Sequence, residues 1–139
     1  MFGVADRSAR YTEREAAYAV ILDADRRAAV VHERQGVFLP GGGIEANESP
    51  AEALLRESLE ECGRPLGIIR EIGRAIQYCH EEGGPFRANH RFFEARFQDP
   101  VSQEGEYPLA WVHIDEAYRW FRYESHVWAV RTLLSQSTP

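Results

Sequence analysis

Three glutamates, Glu57, Glu60 and Glu61, sit in the short run RESLEEC. Offsets of three and four residues put them on one face if the run is helical. Carboxylates that close repel by about 0.2–0.5 kcal/mol per pair even when hydrated. Arg56 answers only part of that repulsion. A divalent cation would balance the rest. Mg2+ and Mn2+ suit the group, because they take hard oxygen ligands and combine a few carboxylates with substrate phosphates. The ordinary explanation for such a run is a solvated acidic helix face. Three features count against it here. Gly41, Gly42 and Gly43 come just before, as is needed where backbone approaches a ligand closely. Glu48 precedes the helix start with Arg56 two turns further on, within pairing reach, and all of this falls in one short, fixed register.

The helix that must carry these residues has clear boundaries. Ser49 is a good N-cap, and Pro50 occupies the first helical position, where its missing N–H costs nothing. Glu52, three residues after Ser49, completes a capping box. Ala51, Leu54, Leu55, Leu59 and Cys62 recur at helical spacing as an apolar stripe. Gly63 stops the helix and Pro65 prevents continuation.

Strands are expected on both sides. AAYAVIL (residues 16–22) and AAVVHER (28–34) read as a hairpin around the polar DADRR. GVFLP is a short strand ending at Pro40, after which the glycines break regular structure. GIIREIGRAIQYCH and NHRFFEARF are rich in β-formers and are separated by the loop EEGGP. LAWVHI is a further strand. Asp115 is expected to cap a short helix, DEAYRWF, and SHVWAVRTLL forms a last helix with Val127, Val130, Leu133 and Leu134 on one face. This order predicts an α/β (α+β) fold, a mixed sheet with helices on both faces.

The bulk composition narrows the function. The chain has 139 residues, 44% hydrophobic and 12% aromatic, enough for one domain with one core. A net charge of -6 argues against a nonspecific nucleic-acid surface or an anionic membrane surface. Cys62 and Cys79 have no CxxC spacing, which suggests free thiols in a reducing compartment. With no signal-peptide core in MFGVADRSAR and no membrane-length apolar run, a cytoplasmic location is expected.

The stretch from Gly42 to Arg64 resembles the Nudix box, GX5EX7REUXEEXGU, where U is a bulky apolar residue. Gly42, Glu48, Arg56, Glu57, Glu60, Glu61 and Gly63 match every fixed polar or glycine position. Ser58 and Arg64 stand where U is expected, which bears on helix packing more than on chemistry. The resemblance implies a Nudix-type α/β/α sandwich, a mixed β-sheet between helices, as a single domain over residues 1–139. It implies a MutT-like, Mg2+-dependent hydrolase, with Mn2+ as an alternative. Such enzymes cleave a nucleoside diphosphate linked to another group, giving a nucleoside monophosphate and a phosphorylated product.

By family position, Glu57, Glu60 and Glu61 would carry the metal, and Glu57 is also a candidate general base. The Gly41 carbonyl would be a further ligand. Arg56 would pair with Glu48 and hold the loop to the helix. Glu52 is mainly a capping residue. Family members often recruit another acid from a loop outside the box. Glu104 and Glu106 are the candidates, with Glu81, Glu82 and Glu94 competing, although a solvated glutamate is the commoner role at each.

The other end of the substrate is less specified. Arg34 is a candidate for phosphate, Tyr78 for stacking on a base and Asn89 for reading a base edge. Phe86, Phe92, Phe93 and Trp111 could also stack, but core or sheet roles are commoner. His126, at the start of the last helix, is read as capping and packing. The sequence lacks the SQPWPFPxS array of NADH-type relatives. His80 stands near the place of the ADP-ribose hydrolase proline, and Tyr78 lies near but not at the tyrosine of dinucleoside polyphosphate hydrolases. A generic nucleotide hydrolase is therefore expected. Two other readings stay beside it. One is a catalytically idle Nudix domain that senses a nucleotide or metabolite, against which the intact REXXEE core counts. The other is an interaction domain with an acidic helix, against which the glycine–glutamate–arginine register counts. Members of the family are commonly dimers, though no stretch here compels that.

Overall fold

The computed structural model describes residues 1–81, 83–98 and 105–136. Among these, the elements run β1 (Thr12–Val20), β2 (Ala28–Glu33), β3 (Gly36–Phe38), β4 (Gly41–Gly43), α1 (Pro50–Cys62), β5 (Leu66–Cys79), β6 (Phe86–Phe97), β7 (Leu109–Val112), α2 (Ile114–Ala117) and α3 (Glu124–Gln136), with a 3-10 turn at Tyr118–Trp120 before α3. Strands β4, β1, β6 and β5 form one mixed sheet, in which β1 and β6 run parallel and the other neighbours antiparallel. Strands β3, β2 and β7 form a second, antiparallel sheet.

Strand alternation explains why helices cover both faces of the mixed sheet. Ala16, Tyr18 and Val20 of β1 pack with Phe92 and with Val127, Val130 and Leu133 of α3. The intervening Ala17 and Ala19 point the other way, to Phe93, Ala95 and Leu54 of α1. Side chains two apart share a face, so one central strand serves both cores. The predicted sandwich is present. No helix among the described residues is long and apolar enough to cross a membrane.

Helix α1 begins and ends as the sequence predicts. Ser49 Oγ accepts from the Glu52 amide at 3.1 Å, and Glu52 Oε1 accepts from the Ser49 amide at 3.0 Å. Gly63 takes the left-handed conformation, φ 69°, and its N–H returns to the Leu59 carbonyl.

Four local expectations change. The three glycines form a strand, β4, paired to β1, and do not break the sheet. Gly41 has φ 140°, and a Cβ there would sit 2.7 Å from Tyr18 Cα, so only glycine allows this close pairing. The β1–β2 hairpin closes only beside its turn, its root, where Asp23 N–H donates to the Arg27 carbonyl at 2.9 Å and Ala29 N–H to the Ile21 carbonyl at 2.9 Å. Beyond that point the strands leave for different sheets, because each finds longer partners there. The buried side of α1 is Ala53, Leu54, Ser58, Glu61 and Cys62, while Leu55 is 41% exposed. The helix is thus rotated to turn a carboxylate inward. Finally, His113 is the N-cap of α2, and Asp115 lies in its first turn.

The strand geometry separates two neighbouring glycines. Gly41→Ala is expected to destabilise by more than about 2 kcal/mol, from backbone strain and the clash with β1. Gly43→Ala, with nothing within 4 Å of its added Cβ, is expected to change stability by less than about 0.5 kcal/mol. Urea unfolding of the two variants measures the contrast.

Candidate active site

Arg56, in the second turn of α1, organises the segment between β4 and the helix. Its Nε donates to Glu48 Oε2 at 2.8 Å and its Nη2 to Glu48 Oε1 at 3.0 Å, a two-pronged pair. Nη2 also donates to the Gly43 carbonyl at 3.0 Å, and Nη1 donates to Glu57 Oε1 at 2.9 Å. Glu60 is a weaker partner at 3.5 Å. The Arg56 guanidinium, helped by the Glu45 amide, holds the Glu48 carboxyl down at about 2.

Glu61 is the opposite case. It is 6% exposed, and its Oε1 accepts from the Gly41 amide at 2.8 Å. Burial pushes its carboxyl up to about 8, and the charges of Glu57, Glu33 and Glu106 add to the rise while the Gly41 amide opposes it. Burial also raises Glu57, against the pull of Arg56. Glu33 rises through burial and through Glu106 and Glu57.

These carboxylates meet in a cavity of about 310 Å³, which Gly41, Gly42, Tyr18, Phe38, Tyr107 and Tyr123 also line. No arginine, lysine or histidine is among the described residues of its wall. The cavity lies where the two sheets and α1 converge. The chain before β7 is pinned to the helix end: Glu106 N–H donates to the Glu60 carbonyl at 2.9 Å and Tyr107 N–H to the Glu61 carbonyl at 3.1 Å. This satisfies two carbonyls that the last helical turn leaves open. Gly42 sits against Glu57, and a Cβ there would approach the carboxylate carbon to 2.8 Å.

The predicted residues divide. Gly41, Glu57 and Glu61 line the cavity, and Arg56 and Glu48 brace it. Glu60, with a half-exposed side chain, lies outside its wall. Arg34 borders a separate surface groove with Val37 and Trp120. Tyr78 packs edge-on against Tyr11, and Asn89 Nδ2 donates to Glu13 at 3.1 Å. Neither lines the glutamate cavity. Glu104 and Glu82 fall outside the described residues. Glu94 pairs with Arg70 at 3.0 Å. His126 is fully buried, and its Nδ1 accepts from the Leu39 amide at 3.1 Å.

The two departures from the box pattern are accommodated locally. Ser58 is fully buried and donates to the Arg64 carbonyl at 3.2 Å. The Arg64 guanidinium lies over the Phe97 ring, 5.1 Å from its centroid. Glu33, Tyr18 and Tyr123 were not singled out by the sequence. Glu33 had one signal, a charged residue ending the strand run AAVVHE just before a two-residue turn.

Among the described residues, no three His, Cys, Asp or Glu side chains already form a group able to hold a metal ion. One oxygen of Glu57 is engaged by Arg56 and one of Glu61 by Gly41. The donor set nevertheless fits a hard divalent cation. Its side-chain donors are oxygens led by the carboxylates, no positive side chain is among the described residues of the wall, and burial already disfavours the charge on Glu61.

A NUDIX domain family model matches residues 12–136. No curated protein matches the chain. A NUDIX hydrolase structure from Nitrosomonas europaea superposes with a TM-score of 0.76 at 23% identity, covering 90% of each chain. The E. coli dihydroneopterin triphosphate pyrophosphohydrolase gives 0.74 at 16% identity, covering 91% of this chain and 99% of that one. A C. elegans Ap4A hydrolase gives 0.69 at 17% identity, covering 88% and 96%. With a family model spanning nearly the whole chain on a fold that pyrophosphohydrolases carry, the chain belongs to the NUDIX family.

Proposed function

We propose that the chain is one NUDIX domain, MutT-like, that hydrolyses the diphosphate linkage of a nucleoside diphosphate derivative with Mg2+ as cofactor and Mn2+ as substitute. The observation that carries this reading is the buried Glu61. A carboxyl lifted to about 8 beside three further glutamates is costly in the free protein and suited to a bound cation. When bound, that cation supplies neutralisation of the diphosphate and a lowered pKa for attacking water.

The protein's own residues do the rest. Glu57 and Glu61 face the cavity as ligands, with Glu60 and the Gly41 carbonyl completing the proposed set. Glu106, or Glu104 from the same segment, supplies a further acid. Arg56 engages only Oε1 of Glu57 among the described contacts, which leaves Oε2 to accept a proton from water. Gly42, by lacking a Cβ, lets that carboxylate lie against the strand. Glu48 holds Arg56 in place and acts through it.

A panel of nucleoside triphosphates, dinucleotides, nucleotide sugars and ADP-ribose with Mg2+ or Mn2+ tests the reading. Release of nucleoside monophosphate is expected, with Glu57→Gln and Glu61→Gln slower by at least about a hundredfold. Gly42→Ala is expected to lower turnover while leaving the melting temperature near that of the parent. Tight nucleotide binding without turnover would point to a sensor, and failure to bind any divalent cation would overturn the proposal.

The same carboxyl predicts a pH signature in the metal-free protein. Its folded value, about 8, lies above the ordinary carboxylate value, so folding favours the protonated form. That stability is fully present below pH ~4 and is lost as pH rises through about 8. In EDTA, the melting temperature is expected to fall between about pH 5 and pH 8, and Glu61→Gln to flatten that decline. Glu48 works in the other direction and in a separate window, losing its contribution as pH falls toward about 2. Calorimetry across the two windows separates them.

A further inference from the structure

One carboxylate in the cavity stands apart from the metal-directed group. Glu81 follows β5, lines the same cavity as Glu57 and Glu61, and has a side chain only 15% exposed. Its Oε1 accepts from the Tyr123 hydroxyl at 2.5 Å and from Arg122 Nε at 3.4 Å. Both contacts described for this carboxylate fall on that oxygen. A carboxylate offers about four lone-pair directions, so about two remain, mainly on Oε2.

The surroundings at this end are aromatic. Tyr18, Phe38 and Tyr123 share the cavity wall with Glu81. Behind them a recess of about 70 Å³ contains Phe86, over whose ring the Arg14 guanidinium lies 3.6 Å from the centroid. A carboxylate already partnered by a hydroxyl and a guanidinium, set among aromatic rings, is built to accept hydrogen bonds from a flat ring.

We propose that Glu81 selects the nucleobase, and that it takes a base with two adjacent N–H donors, as on the 2-amino-6-oxo edge of guanine. Such an edge meets the free acceptor positions with two donors. Adenine would set its N1 lone pair against the carboxylate, and cytosine its N3 lone pair. Uracil offers a single N–H flanked by carbonyl oxygens. A buried acceptor left unpaired is what makes such a site discriminate. The inference rests on the nucleotide-hydrolase reading for its place in the reaction, but its test does not require turnover.

The test is NMR titration of the metal-free protein in EDTA with guanosine, inosine and adenosine. These are neutral, so the glutamate cluster and any cation drop out. Guanosine is expected to bind about tenfold or more tighter than adenosine, with inosine between them. In Glu81→Gln the guanosine preference is expected to shrink to within about threefold. The series in the parent protein needs no variant, so a poorly folded Glu81→Gln does not block it. Guanosine binding no tighter than adenosine, or absent at millimolar concentration, would overturn the proposal. So would a Glu81→Gln protein that weakens both nucleosides equally. Selective guanosine binding without hydrolysis in the substrate panel would keep this inference and remove the hydrolase reading.

Discussion

The guanidinium of Arg56 is the point on which the arrangement depends. It reaches a loop carboxylate, a strand carbonyl and a helix carboxylate, so three successive segments of the chain share one rigid fork. Arginine suits this role better than lysine, because its donors are planar and fixed in direction. Its partly buried position sharpens the effect. Glu48 is held strongly charged, Glu57 is steadied on one side, and among the described residues no comparable cationic partner reaches Glu61. The repulsion left in the site is therefore concentrated in the cavity and not spread over the helix surface.

Backbone geometry makes that concentration tolerable. β4 lies so close to β1 that Gly41 can carry no side chain, and its amide is then aimed at Glu61. Helix α1 turns Ser58 and Glu61 inward where a purely apolar stripe would have placed leucine. A serine at that position satisfies itself through the Arg64 carbonyl. The exposure of Leu55 is the counterpart of the same rotation. The helix is oriented by the site as much as by its hydrophobic face.

What the sequence revealed was local. Ser49, Pro50, Glu52 and Gly63 mark α1 because capping depends on residues a few positions apart. The Arg56–Glu48 pair and the glutamate spacing were legible for the same reason. The remainder depends on tertiary approach. Glu33 arrives from another sheet, and Glu81 and Tyr123 come together across 42 residues. Arg34, Tyr78 and Asn89 had suitable chemistry, but chain direction places them on other surfaces. The glycine run looks like a break in sequence because close pairing with β1 leaves no trace in local propensity.

The brief root at Ile21 and Ala29 has a mechanical meaning. Beyond it the chain passes from one sheet to the other, and the cavity draws its walls from both. Glu33 travels with the antiparallel sheet, while Gly41 and Gly42 travel with the mixed one. The spacing between these groups is thus set by how the two sheets seat against each other. Small residues such as Ala17, Ala19 and Ala29, fully buried near this junction, act as shims. A change in their bulk would be felt as a change in carboxylate separation, far from any residue that touches a ligand.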